Sequence, residues 1–129
     1  MLSGSAPAVT VANYLELERA AKTRSDFRAG AMAPRAISNV KHAMIAGSAL
    51  ASLVGLLKRG EFSAFGADLR LFVKHHHMVT YPDLFVARSP FQVLDAHQDT
   101  LTDAILIVEI VSPDTKNYDR GDKFRYYQA

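Results

Sequence analysis

The stretch Ala104-Ile105-Leu106-Ile107-Val108-Glu109-Ile110-Val111-Ser112-Pro113-Asp114 decides how this chain is read. From Ala104 to Val111 every residue but one is apolar, the pattern of a central strand covered on both faces of a sheet. Ser112-Pro113-Asp114 ends it. The exception is Glu109. An ionised carboxylate buried without compensation is costly, so such a group is paired, protonated or bound to a metal. Strand alternation puts Ile105, Ile107, Glu109 and Val111 on one face. Two roles follow for Glu109: a structural ion pair with a neighbouring arginine, or a ligand for a cation.

Working outward, Tyr81-Pro82-Asp83 leads into a second strand, Leu84–Ala87. If the two strands pair, Asp83 and Glu109 meet at one sheet end and offer oxygen ligands to a hard divalent cation whose shell water completes. The plainer role for Asp83 is a turn or cap aspartate. Downstream, a helix is expected from Tyr118 or Asp119 to Tyr127, with Lys116, Asp119 and Lys123 on one face. A lysine aimed back at the carboxylates would steady a phosphate. A solvated face with ion pairs between successive turns is the alternative.

Upstream, Thr10 is a suitable N-cap for a helix to about Lys22, packed through Tyr14, Leu15 and Leu17. Ser25-Asp26 turns into a strand around Phe27–Ala33, closed by Pro34. Ser38 or Asn39 caps the longest helix, Val40 to Arg59, with Ile45, Ala49, Leu53, Leu56 and Leu57 as its buried face and Gly60 ending it. Phe62–Phe65 and Leu69–Val73 read as strands. His75-His76-His77 reads as a hairpin loop, since adjacent side chains of a strand point to opposite faces and cannot share one ion. Residues 1–9 form a loose lead-in, and 1–129 is one mixed α/β domain without internal repeat.

The 129 residues, 49% hydrophobic and 22% charged, suit a single globular domain. With no cysteine, disulfides, thiolate metal sites and cysteine nucleophiles are excluded, and a cytoplasmic setting is the expectation. The run Ala43–Leu57 is too short to span a membrane and reads as a buried helix, so no membrane partner is expected. Net charge is +2, but residues 1–60 carry eight Lys/Arg against three Asp/Glu, and residues 61–129 seven against ten. That asymmetry fits a phosphate-facing surface beside an acidic metal site, and equally two solvated faces. No Gly-rich phosphate loop, Gly-x-Ser-x-Gly elbow or dinucleotide fingerprint is present.

Taken together, the chain resembles the Uma-two family of restriction endonucleases within the PD-(D/E)XK nuclease-like superfamily. The matching blocks are Tyr14-Leu15-Glu16-Leu17-Glu18, Ser25-Asp26-Phe27 with Gly30, His42, and Asp68-Leu69-Arg70. They continue through Tyr81-Pro82-Asp83, Ile107 to Thr115, and Tyr118-Asp119-Arg120-Gly121-Asp122-Lys123-Phe124. The resemblance implies a restriction-endonuclease-like central mixed sheet flanked by helices. It also implies DNA phosphodiester hydrolysis by water activated on Mg2+ or Mn2+. Asp83 and Glu109 match the metal-binding carboxylates and Lys123 the helix lysine that stabilises developing charge; Asp26, His42, Ser112 and Asp119 are supporting positions.

Some positions depart from that pattern. Ala31 replaces an acidic residue after Gly30, Met32-Ala33-Pro34-Arg35 differs from the usual run, and Val111 stands where the wider superfamily has its lysine. Relatives also continue with further strands where this chain ends at Ala129, so a shortened C-terminal fold is expected. The departures motivate a rival to the metal-dependent endonuclease: an inactive nuclease-like domain that binds DNA or self-associates as a homo-oligomer. A purely structural module that uses Glu109 in a buried ion pair is the third reading.

Overall fold

The computed structural model describes residues 9–35, 39–57 and 60–111. Helix α1 (Val11–Ala20) starts where Thr10 caps it, the hydroxyl accepting from the Asn13 amide at 3.1 Å. Tyr14, Leu15 and Glu18 are its buried residues. At about 100° per residue, Glu18 projects between Tyr14 and Leu15. Leu17, expected on the packing face, falls outside that arc and is 55% exposed.

Strands β1 (Ser25–Arg28) and β2 (Ala31–Pro34) follow, then helix α2 (Val40–Leu56), then β3 (Phe62–Gly66) and β4 (Arg70–Val73). After these come β5 (Met78–Thr80), β6 (Leu84–Arg88), β7 (Thr100–Leu101) and β8 (Leu106–Val108). One sheet has the order β2-β1-β5-β4-β7, antiparallel except for the parallel β4–β7 pair. The other has the order β3-β6-β8, wholly antiparallel. The short β5 and β7 were not anticipated from the sequence.

The single strand expected over Phe27–Ala33 is a hairpin, with Arg28 opposite Ala31. Its two turn residues, Ala29 (φ 49) and Gly30 (φ 89), are both left-handed, as a type I′ turn requires. Asn-Gly is the usual sequence signal for this turn, and alanine conceals it. Pro34, which has no amide proton to donate, ends β2, a strand paired only to β1 among the described residues.

The strand buried on both faces is β6, not Ala104–Val111. Leu84, Phe85, Val86 and Ala87 are each 3% exposed or less, because β6 has a neighbour on either side. Strand β8 is three residues long, pairs only with β6 among the described residues, and leaves Ile105 56% and Leu106 46% exposed. Helix α2, capped by Asn39, also departs from expectation, for none of its residues is buried. Its half-buried side is His42, Ala46, Ala49, Leu50 and Leu53, whereas Ile45 and Leu56 face outward. Among the described residues no helix is long and apolar enough to cross a membrane.

Two apolar clusters hold the layers together. Tyr14, Leu15, Phe27 and Val79 join α1 to the larger sheet, and Leu71, Phe85, Ala87 and Leu101 join the two sheets. A polar network crosses the same interface. Glu18 Oε2 accepts from the Ser25 amide at 2.9 Å and from the Tyr81 hydroxyl. Tyr81 in turn accepts from Arg70 Nη1 at 3.1 Å. Arg19 grips Asp99 with Nε and Nη2, both at 2.8 Å, and Arg70 pairs with the same carboxylate. Burial and the bond to Glu18 push the Tyr81 hydroxyl above its ordinary pKa, so it remains a donor at neutral pH.

Ala29→Asn, which restores the usual residue at the turn, is expected to stabilise the fold by about 0.5–1 kcal/mol, read from urea unfolding. An unchanged midpoint would show that the turn stores no strain. A second expectation concerns acid. The bonds from Arg19, then Arg70, hold the Asp99 carboxyl well below the usual carboxylate range. A carboxylate depressed on folding adds stability above its unfolded pKa, about 3.9, and loses it as pH falls toward the folded value. Asp99→Asn should therefore lower the melting midpoint at pH 7, and the gap to wild type should close below about pH 4. A gap independent of pH would mean that Asp99 acts through its shape and not its charge.

Candidate active site

Strands β6 and β8 pair with Leu84 opposite Val108, Phe85 opposite Ile107 and Val86 opposite Leu106. One further step of that register sets Asp83 opposite Glu109, so the two carboxylates predicted from sequence stand at the same sheet end. Asp83 is buried, 5% exposed. Its Oδ2 accepts from the Ile110 amide at 2.6 Å, and its Oδ1 lies 3.0 Å from His42 Nε2. His42 is in the first turn of α2, where its own amide donates to the capping Asn39 side chain at 2.8 Å. The cap thus fixes the turn that carries the imidazole to Asp83. Glu109 lies just past the end of β8 and is half-buried.

Asp26, on β1, is 7% exposed and accepts from Thr80 Oγ1 at 2.8 Å and from Arg35 Nη1 at 3.0 Å. The Arg35 guanidinium also sits 5.8 Å from the centre of the Tyr81 ring. Burial works against the charge of Arg35. The Asp26 carboxylate and the fields of Glu109 and Asp83 outweigh it and raise the pKa above its ordinary value. Three carboxylates therefore act on one arginine.

Sequence reading missed Arg35, treating it only as part of a divergent run. The signal that finds it is the hairpin. Once Asp26 is opposite Ala33 and Ser25 opposite Pro34, Arg35 falls beside the start of β1, where its amide donates to the Arg24 carbonyl at 3.0 Å. Tyr81 was quoted as a motif residue but given no role; its hydroxyl links Glu18 to Arg70, and its ring has Arg24, Arg35 and Arg70 about it.

Lys123, Ser112 and Asp119 lie outside the described residues. Val111 is 44% exposed. His75 and His76 belong to a 3-10 turn, Lys74–His76, and His77 (φ 50) closes it into β5. That turn is at the far end of β5 from the segment leading to Asp83, so the histidine triplet is a hairpin loop, as expected, and apart from the carboxylates.

Among the described residues no three histidine, aspartate or glutamate side chains gather as a complete metal cage. Asp83 and Glu109 are hard oxygen donors from opposed strands. Magnesium typically takes one or two carboxylates and keeps several waters, so this donor pair suits such an ion as part of an octahedral shell.

A mixed α/β fold in which a buried Pro-Asp carboxylate faces a strand-end glutamate is restriction-endonuclease-like. The family model described as "Putative restriction endonuclease" (Uma2) matches residues 11–129, and the chain belongs to that nuclease family. Two uncharacterized proteins of Synechocystis sp. are each 26% identical to it. The first match spans all of this chain and 73% of the relative, the second 94% of this chain and 63% of the relative. A crystal structure of a "putative nuclease" from Anabaena variabilis superposes with a TM-score of 0.67 at 18% identity. It covers 93% of this chain and 68% of that one, a likeness of fold.

Proposed function

We propose that this chain is a cytoplasmic, divalent-metal-dependent endonuclease that hydrolyses DNA phosphodiester bonds. The observation that carries the reading is the β6–β8 register, which opposes Asp83 to Glu109 at a sheet end. Those two side chains would hold Mg2+ or Mn2+. When bound, such an ion supplies a water of lowered pKa and offsets negative charge on the phosphate. The Ile110 amide and His42 fix the orientation of the Asp83 carboxylate, so the ligand is arranged before substrate arrives. Lys123 is assigned the cation that meets the scissile phosphate, with Ser112 and Asp119 supporting it and Asp26 holding Arg35 nearby. The positive balance of residues 1–60 draws the DNA backbone in.

A second reading, a domain that binds DNA or self-associates without cutting, is favoured by Val111 in the lysine's place. The outward apolar residues of α2, with Val40 76%, Met44 68% and Leu56 83% exposed, favour its self-associating form.

The deciding experiment is nicking of supercoiled plasmid with Mg2+ or Mn2+, beside a thermal melt with and without metal. Asp83→Ala and Glu109→Ala are each expected to lower cleavage at least about a hundredfold and to abolish the metal-dependent rise in melting midpoint. Undiminished cleavage by both variants would overturn the assignment. DNA binding that falls steeply with salt, without cleavage by wild type, would establish the second reading in its place.

A further inference from the structure

We propose that Arg35 is a fixed cation of this site, held at Thr80 and Tyr81 just ahead of Asp83 and contacting the scissile phosphate in place of the lysine that Val111 replaces. The inference rests on the endonuclease reading and adds to it a residue that no family motif supplied.

Among the described residues the guanidinium is anchored through one nitrogen only. Nη1 serves both Asp26, at 3.0 Å, and Thr80 Oγ1, at 3.4 Å, while Nη2 and Nε donate to no group among the described residues. An arginine presents five donors in a planar fork that matches phosphate oxygens in pairs, so the unused edge is the part suited to a phosphate. The Arg35 side chain is 22% exposed, so part of it reaches solvent. Asp26, itself buried and held by Thr80, fixes the cation beside the segment that leads to Asp83, where the fields of Glu109 and Asp83 also reach its charge. Because arginine stays protonated, its role is confined to offsetting charge and orienting the phosphate, and proton transfer must be done elsewhere.

A cation next to a metal-binding carboxylate pair competes with the metal. That competition gives a test independent of cleavage. Arg35→Gln should bind Mn2+ about three- to tenfold more tightly than wild type, measured without DNA by calorimetric titration, because a repelling charge has been removed. The same variant should cleave about 10²- to 10³-fold more slowly. Asp26→Asn loosens the anchor and keeps the charge, so it should leave Mn2+ affinity unchanged or weaken it.

Affinity in Arg35→Gln equal to or below that of wild type would overturn the inference, as would equal tightening in Asp26→Asn, which would mean loosening of the hairpin alone. If wild type fails to cleave while Arg35→Gln still gains affinity, the endonuclease reading fails and the electrostatic role of Arg35 stands. Should Arg35→Gln lack a cooperative melt, Arg35→Lys carries the test. It is expected to keep wild-type Mn2+ affinity and to cleave about tenfold more slowly for want of the fork; a wild-type rate would overturn the proposal.

Discussion

The structure turns on a joint of three buried residues, Tyr81-Pro82-Asp83, by which the chain leaves β5 of one sheet and enters β6 of the other. What holds the joint is the hydrogen bond from the Tyr81 hydroxyl to the buried Glu18 carboxylate of α1. A carboxylate at that depth is tolerable only with donors on it, and Tyr81 and the Ser25 amide provide them. Removing Tyr81 would leave the buried carboxylate with the Ser25 amide alone, and removing Glu18 would take away the acceptor of the Tyr81 hydroxyl, so the contact resists drift more than an apolar one would. The consequence is geometric. With Tyr81 tied to α1 and Leu84 committed to the β6 ladder, Pro82 and Asp83 have little freedom, and the Asp83 carboxylate is delivered to the end of β8.

Electrostatics explains why this joint sits among arginines. Asp26 bonds Arg35, the fields of Glu109 and Asp83 also reach that arginine, and Glu18 bonds Tyr81, whose ring lies near the same guanidinium. Carboxylates gathered in partly dry surroundings repel, and each needs a cation or a set of donors to remain ionised. The molecule meets that need in two ways. Arg70 and Arg19 both bond Asp99, in closed, well-bonded pairs. Arg35 is ion-paired with Asp26, and the fields of Glu109 and Asp83 reach it as well. The first arrangement gives one acid two arginines; the second sets one arginine in the field of three acids.

The legible and illegible parts of the sequence divide along physical lines. The caps at Thr10 and Asn39 were readable because side-chain oxygens at helix starts have one dominant use. The meeting of Asp83 and Glu109 was readable because both flank strand-like segments and a single antiparallel pairing brings them together. The core assignment for Ala104–Val111 failed because apolar composition does not say which strand has neighbours on both sides; β6, with fewer uninterrupted apolar residues, took the centre. The same weakness affects α2, whose apolar residues surround the helix and so do not mark a face. The hairpin at Ala29-Gly30 escaped because its first turn residue is one that rarely accepts a left-handed conformation. Missing that hairpin also hid Arg35, since its place beside Asp26 depends on the chain reversing there.

That dependence links backbone strain to the chemistry of the site. A strand running straight from Phe27 to Ala33 would carry Arg35 away from β1. The reversal returns it to the Asp26 end, and the Arg35 amide to Arg24 carbonyl bond closes the register there. The cost of a left-handed alanine is thus offset by the pairing of β1 with β2 and by the ion pair at their open end. Placing a cation on a hairpin arm, and the carboxylates on the ladder of the neighbouring sheet, also separates the two mechanically. The Asp83–Glu109 end is fixed by β6, whose residues are buried throughout its length but the last, while Arg35 rides on the outer strand pair.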